Sequence, residues 1–204
     1  MIEFALVSYS LLLVIVFGLR PWLQYRQTGD HGFRGFSGRT SALERLSGLL
    51  FAIAFSAFFG APIATLMGAV DLVALPGWIS PIGVALVLAG FVVVVAAQYQ
   101  MGVAWRVGVD RSERTTLIKD GLFAWVRNPI FSGIGLFGAG FSLLVPNVLS
   151  GSALLLGALG LEIQARCVEE PYLLRTHGEA YAEYARRVGR FVPRIGLLSR
   201  RRAT

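Results

Sequence analysis

The sequence predicts an all-α polytopic membrane protein, with about five transmembrane helices and a cytoplasmic C-terminal helical segment. Three observations carry this. Hydrophobic residues make up 55% of the chain and the mean hydropathy is +0.63, too apolar for an ordinary soluble domain of this length. The 24 glycines run through the apolar stretches instead of gathering in linkers. All 19 Lys and Arg residues fall into three blocks, Arg20 to Arg45, Arg106 to Arg127 and Arg166 to Arg202.

The spans follow in order. Phe4 to Leu19 comes first and lacks the basic flank of a signal peptide, so it reads as a retained helix. Arg20 to Arg45 then reads as a non-helical loop, because Gly29, Gly32, Gly35 and Gly38 interrupt it. Leu46 to Met67 and Ile79 to Ala97 are the second and third spans. Ile130 to Val145 and Val148 to Leu161 are uncharged legs on either side of Pro146-Asn147, a turn-forming pair, and predict a helical hairpin. A short helix over Glu179 to Val188 places Tyr181, Tyr184 and Val188 on one face. The chain divides at residue 97: three spans lie in 1–97, while 98–204 holds the hairpin (129–168) with its flanking polar segments, including Asp110-Arg111-Ser112-Glu113-Arg114.

Charge placement sets the expected orientation. Basic residues favour the cytoplasmic side, so the three blocks are inside, the Asp71 and Pro146 loops are on the far side, and five spans carry an external N-terminus to a cytoplasmic C-terminus. The formal net charge of +7 is then accounted for by topology and anionic lipid headgroups. No basic stripe stands apart from a membrane boundary, which argues against a nucleic-acid partner. A single cysteine, Cys167, excludes an internal disulfide, and His31 and His177 lie too far apart in sequence to suggest a metal site. The dinucleotide, P-loop and nucleophile-elbow motifs are absent.

The hairpin brings two polar clusters to one membrane face: Arg127-Asn128-Pro129 before it and Glu169-Glu170-Pro171-Tyr172 after it. Leu117-Ile118-Lys119-Asp120-Gly121-Leu122-Phe123 and Trp125-Val126-Arg127-Asn128-Pro129-Ile130-Phe131-Ser132-Gly133 are followed by the Glu-Glu pair. Then come His177-Gly178, Tyr181, Tyr184 and Phe191-Val192-Pro193. This pattern, across residues 98 to 195, resembles the isoprenylcysteine carboxyl methyltransferase family and its phospholipid-methyltransferase-like relatives. Two positions depart from it. Phe123 stands where a Tyr is usual and lacks its hydroxyl, and Asn128 stands where His is commoner and cannot titrate near neutral pH.

The resemblance implies an S-adenosylmethionine pocket where the hairpin ends meet the C-terminal segment, with Phe123, Arg127, Asn128, Pro129, Gly133, Glu169, Glu170, Tyr181 and Tyr184 as cofactor contacts. Glu170, Arg166 and Arg106 are the candidate catalytic residues, Arg106 as the holder of an anionic acceptor. The residue types suit such a donor, whose sulfonium, ammonium and carboxylate need acidic and basic partners beside an apolar slot. Glu162, Arg166 and Glu170 recur at helical spacing, as a donor-binding face or as a surface ion-pair ladder. Tyr181 and Tyr184 read as pocket walls or as membrane-interface residues. Gly133, Gly135, Gly138 and Gly140 favour close helix packing, and would also admit a ligand.

The expected function is integral membrane methyl transfer to a lipophilic acceptor entering sideways between helices, with membrane lipids as the surrounding partners. Two other classes fit the layout: a membrane reductase of the sterol reductase type using NADPH, and a non-enzymatic membrane scaffold. The preference for Arg over Lys, with abundant Ala, Gly and Val, suggests a GC-rich bacterial genome and hence a bacterial cell membrane.

Overall fold

The structure is a computed structural model that describes residues 1–33, 41–108 and 116–199. Gly35, Gly38 and the polar run Asp110 to Arg114 lie outside the described residues. Five apolar helices make up the described bundle: α1 (Ile2–Thr28), α2 (Ala42–Leu66), α3 (Ile79–Met101), α4 (Pro129–Leu144) and α5 (Val148–His177). A short helix, α6 (Glu179–Arg187), follows. The molecule is an integral membrane protein whose four longest helices have the length and composition to cross a bilayer, while α4, with 16 residues, is shorter.

Two helices run further than the sequence suggests. The expected loop from Arg20 begins as helix, and α1 ends only at Gly29, which takes a left-handed φ of 75°. The nine residues from Arg20 to Thr28 contain no glycine, so nothing stops the helix before Gly29. Likewise α5 continues past Leu161 through Glu162, Arg166 and Glu170, as their helical spacing expects, and then runs beyond them to His177. Each of these helices contains a π-helical turn, Val14–Leu19 and Gln164–Glu169, and each turn ends two residues before a proline, Pro21 or Pro171. Proline removes an N–H and crowds the preceding turn, and a widened turn at that place absorbs the conflict without ending the helix.

Packing crosses residue 97, because α3 lies along α4 through facing glycines. A Cβ added at Gly90 would lie 2.5 Å from Phe137 N and 2.6 Å from Gly133 O, and one at Gly140 would lie 2.6 Å from Gly83 O. Backbones this close have no room for a methyl group. Gly90→Ala is therefore expected to destabilise the protein by about 1–3 kcal/mol through overpacking, measured as a lower midpoint of thermal aggregation in detergent. Gly135, with nothing near its added Cβ, is the control position.

Away from the basic ends, the core is aromatic: Tyr9 of α1 packs among Phe58, Phe137 and Phe141 and its hydroxyl donates to Phe55 O at 2.8 Å. The hairpin turn is pinned to α2, since Asn147 Nδ2 donates to Ala61 O at 3.0 Å and to Thr65 Oγ1 at 2.9 Å. The same Asn147 caps α5 by accepting from Ser150 N at 2.9 Å.

Candidate functional site

At the opposite end, the two polar clusters meet. Arg127 is held from both its backbone and its side chain. A bridge between Val126 and Gly189 lines up Arg127 N with Gly189 O at 2.8 Å and Asn128 N with Arg190 O at 3.0 Å. The Arg127 Nη1 donates to Ala185 O at 2.8 Å and Val188 O at 2.7 Å, so the guanidinium sits on the negative end of α6. Its Nη2 donates to Gly196 O at 3.0 Å and to Glu170 Oε1 at 2.6 Å.

Glu170 is shared. Arg190 Nε donates to Glu170 Oε1 at 2.6 Å and Nη2 donates to Oε2 at 3.1 Å, a two-pronged contact. The side chains of Arg127, Glu170 and Arg190 are 1%, 10% and 14% exposed. Two guanidiniums around one carboxylate leave a net positive charge in a largely dry place. Glu162 relieves part of it from the rim, accepting from Arg190 at 3.4 Å and Arg166 at 3.1 Å.

The expected residues therefore divide. Arg127 and Glu170 come into direct contact, with Pro129 opening α4 just beyond them. Asn128 adds its backbone bond, and its amide reaches Arg190 O only at 3.5 Å. Arg166 sits at the exposed rim, paired with Glu162 and not with Glu170; the π-helical turn between residues 162 and 170 breaks the regular stripe that the spacing predicted. Arg106 donates to Val103 O and Trp105 O at 2.9 and 2.8 Å. It belongs to another basic-face cluster, in which Arg20 lies 4.8 Å over the buried Trp105 ring. Gly133 faces α3, where an added Cβ would lie 2.9 Å from Gly90 O, so it serves helix packing and leaves no surface for a cofactor.

Glu169 differs from its neighbour. Its carboxylate accepts from Gln164 Nε2 at 3.4 Å, and Gln164 Oε1 in turn accepts from Ser47 Oγ of α2 at 2.8 Å. Where Glu170 is fully engaged, Glu169 retains acceptor capacity. On the other side, Arg127 Nε is buried without a hydrogen-bond partner among the described residues. A carboxylate with acceptor capacity to spare and a guanidinium N–H without a partner among the described residues thus accompany the cluster.

Tyr181 and Tyr184 build a small core with Ala185 instead of an interfacial belt. Tyr181 and Tyr184 meet edge to face at 6.0 Å, packed against Leu117, Leu173, Leu174, Val188 and Leu198. The Tyr184 hydroxyl donates to the carbonyl of Phe123 at 2.6 Å, so the chain position of Phe123 is used even though its ring lacks a hydroxyl. Burial pushes the Tyr184 phenol up from 10.0 to about 12, with the nearby Arg127 charge acting the other way. A raised phenol contributes stability that is intact below pH 10.0 and is lost as pH rises towards about 12. Tyr184→Phe is expected to cost about 1 kcal/mol at neutral pH and to flatten the alkaline limb of a melting-temperature profile over that window.

Arg190 is the site residue that the sequence did not single out. Its signal lay beside a recognised run, directly before Phe191-Val192-Pro193, but one arginine among so many carries no mark of burial. The same segment binds α4 again through Ser132 Oγ, which donates to Phe191 O at 2.7 Å, and through the Phe131 and Phe191 rings at 6.3 Å.

A family model described as phospholipid methyltransferase matches residues 78–180, about half the chain. The chain is similar to Protein-S-isoprenylcysteine O-methyltransferase B of Arabidopsis thaliana, 27% identical over 118 residues, covering 57% of this chain and 60% of that protein. It is also similar to Protein-S-isoprenylcysteine O-methyltransferase of Schizosaccharomyces pombe, 29% identical over 89 residues, covering 44% and 38% respectively. Among solved structures, the fold is similar to that of the eukaryotic intramembrane Ras methyltransferase ICMT (isoprenylcysteine carboxyl methyltransferase). The TM-score is 0.59 at 20% identity, over 89% of this chain and 62% of that one. The chain thus spans less than two thirds of the length of these relatives.

Proposed function

Since the chain belongs to the phospholipid methyltransferase family, we propose that it uses S-adenosylmethionine to methylate a lipophilic acceptor at its basic membrane face, with that face cytoplasmic. The observation that carries the donor site is the buried Arg127–Glu170–Arg190 cluster, with spare hydrogen-bonding capacity at Arg127 Nε and Glu169. The residues fit the charges of such a donor. A net positive cluster suits its carboxylate, and Glu169 suits its ammonium or sulfonium. When bound, S-adenosylmethionine supplies an activated methyl group open to displacement.

Arg127 and Arg190 anchor the donor's carboxylate while they tie down the 189–198 segment. Glu170 holds both guanidiniums in place, and so acts as a positioning residue. Glu169 takes the cationic portion, and the Tyr181 and Tyr184 core fixes the wall behind it. Displacement at a methyl group needs alignment and exclusion of water more than acid or base assistance. Asn128 cannot titrate, so an acceptor that is already anionic, such as a carboxylate, suits this site better than an amine needing proton removal. Arg106 and Arg166 are left at the periphery, where either can attract an anionic acceptor. The names of the two relatives, which describe methylation of isoprenylcysteine, agree with an apolar tail next to a carboxylate.

The test is to incubate the protein in lipid vesicles with methyl-labelled S-adenosylmethionine and total lipid extract. An organic-soluble labelled product that releases volatile methanol in base is the expected result. A base-stable product would replace the carboxylate by another nucleophile, and absence of any product alongside NADPH-dependent reduction would overturn the proposal.

A further inference from the structure

The apolar segment between α2 and α3, residues 67–78, forms neither helix nor strand, yet it is well placed over the hairpin turn, where Val73 N donates to Pro146 O at 2.6 Å. Its sequence, Met-Gly-Ala-Val-Asp-Leu-Val-Ala-Leu-Pro-Gly-Trp, carries one charge, Asp71. Leu72, Val73, Leu75 and Trp78 are all exposed, Val73 by 61% and Trp78 by 67%. A loop in water is ordinarily polar, and a cluster of large exposed apolar side chains marks a contact surface.

Helix lengths say where this segment lies. From Arg45 to Leu66, α2 rises about 32 Å at ~1.5 Å per residue. From Gln98, the first polar residue at the basic end of α3, back to Ile79 is about 29 Å. Both routes end near the far edge of a hydrocarbon layer about 30 Å thick. The hairpin turn sits at the level of Ala61 and Thr65, so it lies just inside that edge, with its polar groups satisfied by α2, by Ser150 and by Val73. Satisfied backbone is what this depth demands.

We propose that residues 67–78 are a membrane-embedded cap: the backbone lies in the interfacial zone of the far leaflet, and Leu72, Val73, Leu75 and Trp78 insert into its lipid. The occupant of the exposed surface is the bilayer, because the segment continues the lipid-facing helices at both ends and the chain has no Lys or Arg between Arg45 and Arg106 to hold it in water. Trp78, at the start of α3, takes the place of an interfacial belt aromatic. Asp71 is the point at which the cap reaches water. The cap also shields the short hairpin, whose 16-residue α4 does not cross the layer unaided. This holds whatever the chemistry at the basic face.

Full-length protein carrying Cys167→Ser, with Val73→Cys, Leu75→Cys or Asp71→Cys, is labelled with a thiol-reactive fluorophore and reconstituted in phosphatidylcholine vesicles. Lipid-borne nitroxide is expected to quench the labels at 73 and 75 severalfold more than aqueous iodide does, and the label at 71 to show the reverse. Equal or stronger iodide quenching at 73 and 75 would overturn the proposal, as would protection from both quenchers, which would mean a protein partner covers the surface. If a cysteine variant does not fold, brominated lipid is applied to the wild type and to Trp78→Phe. The cap requires the difference in their tryptophan emission to be quenched, and an unquenched difference refutes it.

Discussion

Glu170→Ala is expected to cost about 3–5 kcal/mol, the range for removing one partner from a buried ion cluster. The loss is large because Arg127 and Arg190 would then face each other in a largely dry place, with side chains 1% and 14% exposed. Glu170→Gln keeps one acceptor and the shape but not the charge, so it is expected to fall between. Removing Arg190 together with Glu170 relieves the repulsion, so the double variant is expected to be more stable than the sum of the two single losses predicts. Thermal unfolding in detergent measures all three. A loss below about 1 kcal/mol for Glu170→Ala would place the cluster with ordinary solvated ion pairs.

Gly189→Ala is expected to be damaging as well, although it removes no interaction. A Cβ at this position would run into Val192 O and lie 2.7 Å from Arg194 N, both backbone atoms of the tight turn that follows. Backbone cannot step aside as a flexible side chain does, so the turn must open at a cost of about 1–3 kcal/mol or more. The consequence reaches the site, because that turn carries Arg190 to Glu170 and Gly196 O to Arg127, and Gly189 O itself receives Arg127 N. Donor affinity is therefore expected to fall by more than the loss in melting temperature alone would suggest. The comparison is Gly135→Ala, which meets nothing and is expected to leave both unchanged.

Span order and the hairpin were legible because long uncharged runs and Pro146-Asn147 leave little choice in a bilayer. The meeting of Arg127 with Glu170 was legible as well, since a hairpin returns both of its ends to one face. Helix ends were less so. Glycine spacing after Gly29 masked the helical run Arg20 to Thr28, and the spacing of Glu162, Arg166 and Glu170 carried α5 only to residue 170 while it continues to His177. What the sequence could not convey was the division of labour inside a cluster. Glu169 and Glu170 are adjacent carboxylates, yet the π-helical turn sends one to two arginines and the other to Gln164. Arg190 stayed hidden because its burial depends on a tertiary contact, and Gly133 was expected at a ligand although its free side is filled by α3.

The proposed function stands or falls on S-adenosylmethionine binding beside Glu169 and the Arg127–Glu170–Arg190 cluster. It is checked by calorimetric titration of the detergent-purified protein with this donor, run beside Glu169→Gln, which replaces the acid by an amide and leaves the arginine cluster its own carboxylate, Glu170. Saturable binding by the wild type, weakened at least about tenfold in Glu169→Gln with its melting temperature kept, is the predicted result; such a loss corresponds to about 1.4 kcal/mol. Unchanged affinity in Glu169→Gln, or binding of NADPH in place of S-adenosylmethionine, would rule out this donor site.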